Sequence, residues 1–221
     1  MAIRDLLWAC PLCGAVDGIK PAKDTERCTH CDTVFLRAGG SMIQAVGADG
    51  VTTTRPAGEW ADMLPPEPPG PAAGREGPAG REGVPSPAAA DERASPVWRS
   101  DRVFARFAVG EEAIRHHSVY LGMMERLAKP KEGTLTLTSD ALRLKLDNGE
   151  VRVWPLEDVA ALQASGRTVQ VRPRRQPIVS FSFPDTSARL WDESIAAALK
   201  QCWRRLGRGE IIEFQPRIVA R

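Results

Sequence analysis

The chain has no run of about 20 consecutive apolar residues, the length that a membrane-crossing helix needs, and its longest apolar stretches are broken by Arg or Asp. It is expected to be soluble or peripheral. It also has no Gly-x-Ser-x-Gly elbow and no Gly-Lys-Ser/Thr loop, and no Asp follows His116 or His117 at the spacing of a lipid acyltransferase motif. Those absences remove serine hydrolysis, phosphate-loop chemistry and acyl transfer. The expectation is a non-enzymatic protein in which His116 and His117 are a solvated pair. Cysteine is scarce as well: of five, four form two close pairs and only Cys202 stands apart, so none is spare for a disulfide framework. Cys202 lies in a late apolar pattern and is expected to be a small buried hydrophobe. The opening residues MAIRDLLWAC lack a signal peptide's apolar run and cleavage site, which points to a cytoplasmic protein.

Positive charge is thin where it would matter for nucleic acid. The net charge of +2 conceals an asymmetry: Met1–Leu64 carries six Lys/Arg against eight Asp/Glu, net −2, while Asp101–Arg221 carries twenty against fifteen, net +5. Affinity for a phosphate backbone rests on Lys and Arg contacts. A nucleic-acid-binding regulator using the N-terminal part is therefore the weaker alternative.

The most specific feature present is Cys10/Cys13 and Cys28/Cys31, two Cys-x-x-Cys pairs separated by fourteen residues. That spacing suits a four-thiolate zinc site. Four cysteines fill a tetrahedral ion and leave no position for a reactive water, so one structural Zn2+ is expected, with His30 facing solvent. So short a module cannot fold on apolar burial alone, and metal binding supplies much of its folding free energy. Cys10-Pro-Leu-Cys-Gly14, a hairpin and Cys28-Thr-His-Cys31 resemble the zinc ribbon family over Leu6 to Arg37. Trp8 and Phe35 flank the knuckles as bulky cover for the ribbon core. Ser41–Val46 and Val51–Thr54, joined through Asp49-Gly50, read as an additional hairpin, and Glu59–Leu64, with Trp60, as one helical turn packed on it.

From Pro65 to about Ser100 the chain becomes rich in Pro, Gly and Ala, with the near-repeat Pro71-Ala-Ala-Gly-Arg-Glu-Gly77 and Pro78-Ala-Gly-Arg-Glu-Gly83. It offers almost nothing to bury and reads as a disordered linker. Residues 1–64, 65–100 and 101–221 are thus ribbon module, linker and second domain, the two ordered parts expected to tumble independently.

In the second domain Val103–Val109 reads as a first strand, and Glu111–Leu127 as a strand-like edge or a short irregular insertion. Short alternating strands follow at Gly133–Thr138, Leu142–Leu146, Val151–Trp154, Val159–Leu162, Thr168–Arg172 and Ile178–Phe183. An amphipathic helix spans about residues 186–206, with Pro184-Asp185-Thr186 as its cap and an apolar stripe through Trp191, Ile195, Leu199 and Cys202. The fold class expected is mainly β, a small antiparallel barrel or sandwich closed by the helix. Gly133-Thr-Leu-Thr-Leu-Thr-Ser-Asp-Ala-Leu142, Trp154-Pro-Leu-Glu-Asp-Val159, Phe181-Ser-Phe183 and a terminal helix carrying Trp191 resemble the GRAM branch of the pleckstrin-homology superfamily over Arg102 to Leu206. The resemblance implies a bent antiparallel barrel capped by one helix, and binding of anionic lipid or protein instead of catalysis.

Basic residues at the mouth of such a barrel meet phosphorylated head groups in resembling proteins. Lys129, Lys131, Arg167, Arg172, Arg174 and Arg175 are the candidates here, against the plainer reading that hairpin arginines solvate turns and protect strand edges. The tail Gly209–Val219 alternates like one more strand, for a sheet edge or a partner. Taken together these features describe a bacterial-type, cytoplasmic adaptor, peripheral at the inner membrane face or bound to an unidentified protein. An auxiliary subunit of a lipid-modifying enzyme is a further alternative.

Overall fold

The structure, a computed structural model, describes residues 2–65, 68 and 98–208, with the backbone alone at 120–123. Most of the segment assigned to the linker, and the tail from Gly209, lie outside the described residues.

The N-terminal module is an antiparallel meander: β1 (Ile19–Ala22), β2 (Thr25–Cys28), β3 (Val34–Arg37), β4 (Met42–Val46) and β5 (Thr52–Pro56), adjacent in that order. The second hairpin turns at Asp49-Gly50 as expected, Gly50 taking φ +80° while the Val51 amide donates to the Asp49 carboxylate at 3.0 Å. After β5 comes α1 (Ala57–Asp62), whose Trp60 is buried edge-on to Phe35 at 6.3 Å and donates its indole N–H to the Ile43 carbonyl at 3.0 Å. At the other end a 3-10 turn at Ile3–Asp5 is tied down by Glu26, whose carboxylate accepts the Ile3 and Arg4 amides at 2.7 and 2.6 Å. Ile3, Leu7, Ile19, Phe35, Ile43 and Trp60 form the core together with Cys10 and Cys28.

The second domain begins with β6 (Trp98–His116), which starts at Trp98 inside the segment assigned to the linker and runs for 19 residues. Its first half pairs with β8 (Lys131–Leu137) on one side and β13 (Val179–Ser182) on the other, and beyond Ala108 it pairs with β7 (Val119–Leu127). The rest of the sheet comprises β9 (Ala141–Leu146), β10 (Val151–Pro155), β11 (Val159–Ser165) and β12 (Thr168–Pro173), in the order β10-β9-β8-β6-β13-β12-β11. Alternate residues of these strands, among them Leu135, Leu137, Leu142, Leu144, Val169, Val171 and Phe181, are fully buried, as period-two patterning dictates. Gly133 allows β8 to lie close on β9, where a Cβ would run into the Lys145 carbonyl and the Leu146 backbone.

The fold class is the expected one, mainly β with antiparallel pairing and a C-terminal helix, but the sheet does not close into a barrel. Pro155 and a 3-10 turn at Leu156–Asp158 carry the chain from β10 to β11, and these two strands remain unpaired with each other. The gap is filled by side chains: Leu156 is fully buried, and α2 (Ala188–Arg205) packs against that turn, β11 and β12. Phe183 stacks on Trp191 with ring centres 5.1 Å apart. The cap of α2 is Ser187 in place of the expected Pro184–Thr186 segment, its hydroxyl accepting from the Leu190 amide at 3.4 Å. Arg205, near the C-terminus of α2, meets Asp140 at 2.7 Å and holds that carboxyl below the usual carboxylate range. Cys202 is buried in the core, as expected.

The stretch Glu111–Leu127 is strand-like, as one of the two expectations had it, and β7 pairs with β6 alone, with register shifts at Ala108/Gly110 and Ile114/Arg115. It is a two-stranded arm formed by the outer half of β6 and by β7, with every residue from Val109 to Val119 exposed and the turn at His117, which takes φ +55°.

The two modules, expected to tumble independently, are in contact. Trp8 and Ala9 of the N-terminal module are buried with Leu190 of α2, and Val16, Leu64 and Trp98 pack around them. Arg4 donates to the Pro184 carbonyl at 3.2 Å and Lys20 to the Asp185 carbonyl at 3.1 Å. Trp8, expected to cover the ribbon's own core, serves this junction.

Candidate metal centre

Each cysteine pair sits in a tight knuckle. In the first, the Gly14 amide donates to the Cys10 carbonyl at 2.8 Å and Gly14 takes φ +74°; in the second, the Asp32 amide donates to the Cys28 carbonyl at 3.1 Å with Asp32 at φ +59°. The first knuckle is closed by the Cys10 amide donating to Ala15 and the second by the Cys28 amide donating to Thr33, while the Thr29 amide ties the second knuckle to Gly18 just before β1, each at 2.9 Å. The hairpin between the pairs, β1–β2, returns the chain so that the second knuckle faces the first.

The four sulfurs then converge. Cys10 Sγ lies 3.7 Å from Cys31 Sγ and Cys13 Sγ 3.6 Å from Cys28 Sγ, and all four are within 4.8 Å of one another. Sulfurs bound at about 2.3 Å to a tetrahedral ion stand about 3.8 Å apart, whereas a disulfide holds them at about 2.05 Å. The donor set therefore fits a single thiophilic ion. Among the described residues it is the one group of three or more metal-donor side chains.

The thiols are unequal. Burial raises Cys10 and Cys13 above the ordinary value of 9.0. Burial acts in the same direction on Cys31, but hydrogen bonds from the Thr33 hydroxyl and amide and from the Cys13 and Cys28 thiols outweigh it and bring Cys31 to about 6. The Thr33 hydroxyl is 3.2 Å from Cys31 Sγ. The His30 amide, 3.4 Å from Cys28 Sγ, points at a sulfur, while its side chain is exposed and outside the cluster.

The basic residues singled out from the sequence do not form one site. Arg172, Arg174 and Arg175 line a shallow depression of about 840 Å3 with Asp158, Ala160, Pro173 and Gln176. Arg167 is elsewhere, 3.7 Å from the buried Asp5 of the N-terminal module. Lys131, three strands from β12, faces Glu150 at 3.4 Å, and Lys129 lies in the exposed connection between β7 and β8. His116 and His117 sit at the tip of the arm, exposed, with ring centres 4.4 Å apart. Arg4, Asp5 and Lys20, which join the modules, carried no signal in the sequence, since two of them reach backbone carbonyls that any residue would supply.

No protein-family model matches this chain, and no curated protein matches it either. No helix among the described residues is long and apolar enough to cross a membrane.

Proposed function

We propose that Cys10, Cys13, Cys28 and Cys31 hold one structural Zn2+ in a zinc-ribbon module, and that the chain is a non-enzymatic adaptor whose GRAM-like second domain binds an anionic surface. An open antiparallel sheet filled by a terminal helix accords with the resemblance to the pleckstrin-homology superfamily. The observation that carries the binding role is the convergence of Arg172, Arg174 and Arg175 on one depression with a single carboxylate, Asp158, among its lining residues.

Each cation near an anionic bilayer contributes about 1 kcal/mol, so three give weak, salt-sensitive attachment suited to reversible recruitment at a membrane face. The chemistry proposed for this depression is charge complementarity. Co-sedimentation with vesicles containing phosphatidylserine is expected to exceed that with neutral phosphatidylcholine vesicles. It should fall to the neutral level in the variant R172E/R174E/R175E. Equal, negligible sedimentation with both vesicle types would turn the proposal toward an acidic protein partner.

A further inference from the structure

The apolar part of the junction between the ribbon and the second domain is built largely on one short hairpin, the first metal knuckle, with Leu64 beside it and with Arg4, Asp5 and Lys20 adding polar contacts around it. Trp8, Ala9 and Val16 are ribbon residues of the junction with Leu190, and all three lie within two residues of Cys10 or three of Cys13. They are held as a unit by the Ala9–Val16 bridge, by the Asp17 amide donating to the Trp8 carbonyl at 2.8 Å and by the Cys10 amide donating to Ala15. Lys20 extends the unit: its ammonium bridges Asp17 at 2.6 Å and the Asp185 carbonyl at 3.1 Å, just before α2.

We infer that metal binding and docking of the two modules are thermodynamically coupled, the knuckle acting as a latch that places Trp8 against Leu190 only while the four sulfurs share an ion. This rests on the metal reading above. The reasoning is physical. The hairpin from Trp8 to Asp17 is closed by few backbone bonds, and a two-stranded hairpin alone is marginal in water. The ion joins Cys10 and Cys13 to Cys28 and Cys31 on the opposite knuckle and so fixes the hairpin on the meander. Without the ion the apolar side chains of Trp8, Ala9 and Val16 have no fixed arrangement with which to cover α2. Release would uncover Leu190 and Trp98, an apolar surface on the second domain bordered by the Pro184 and Asp185 carbonyls and open to another chain.

Coupling between sites is reciprocal, which gives a test that a purely local structural metal would fail. The full chain is loaded with Zn2+ and its affinity measured by competition with a chromophoric chelator. Leu190→Asp, more than 170 residues from the nearest first-knuckle cysteine, is expected to weaken Zn2+ binding about tenfold. The milder Arg4→Ala, which removes the side-chain bond to the Pro184 carbonyl, is expected to weaken it about twofold and keeps the test decisive should Leu190→Asp fail to fold. In parallel, small-angle scattering of the wild-type chain should show an increased radius of gyration on adding excess chelator. Unchanged Zn2+ affinity in the folded variants, or an unchanged radius after metal removal, overturns the latch. A wild-type chain that binds no Zn2+ overturns the metal reading instead.

Discussion

The two modules solve the same problem, a small β fold with a polar exterior, by different means. The second domain buries twenty-one residues in one continuous cluster that includes Trp154, Phe181 and Trp191. The N-terminal module's own cluster has nine, two of which are the cysteines Cys10 and Cys28. Below about 40 to 60 residues a hydrophobic core is marginal without metals or disulfides. The N-terminal core thus ends at the four-cysteine cluster, whereas the sheet and α2 complete theirs with side chains.

The largest test of that contrast is Cys28→Ser. Structural Zn2+ contributes roughly 10 kcal/mol or more in small modules, so this variant is expected to lose Zn2+ and amide protection across β1–β5 in hydrogen exchange while β8–β13 stay protected. Retained protection in β1–β5 without metal would end the distinction between the modules. The converse test is Phe181→Ala, which truncates a fully buried ring packed edge-on against Trp154 at 5.9 Å. It is expected to cost about 3–5 kcal/mol and to lower the melting transition of the second domain with Zn2+ still bound at temperatures below that transition. The smallest effect concerns pH in the metal-free chain. Burial raises Cys10 and Cys13 above their unfolded value of 9.0, so their contribution to stability is present below pH 9 and is lost as pH rises beyond it. Cys31 has the opposite sign: lowered to about 6, it contributes above its unfolded value and loses that contribution as pH falls through 6. The ordered fraction of the N-terminal module that survives metal removal, read by near-UV circular dichroism, should therefore shrink further above pH 9, and the Zn2+-loaded chain should not follow it.

Legibility in the sequence divides along the same line. Ligand spacing is a local property, so Cys10, Cys13, Cys28 and Cys31 were readable and their sulfurs do converge. Period-two burial is local too, and Leu142, Leu144 and Leu146 all face the core. What escaped was non-local or lacked turn chemistry. Trp8 has the character of a core residue in either module, and only the folded chain places it against Leu190. Arg167 looked like a mouth cation, but Asp5, far away in sequence, takes it to the junction. The arm was obscured because its turn uses His117 at positive φ, a conformation usually signalled by Gly or Asn. Closure into a barrel was overestimated because the Pro155–Asp158 segment resembles a hairpin in length and gives no sign that β10 and β11 stay apart.

Leu64 and Trp98, the flanking residues of the long Pro- and Gly-rich segment, both pack on the same Trp8–Leu190 cluster. The 33 residues between them therefore join two positions that share one cluster. Loop-closure entropy grows only logarithmically, about 0.6 kcal/mol for each doubling of length. This position can accept long insertions, or a cut that leaves two fragments associated, at little cost to the geometry on either side.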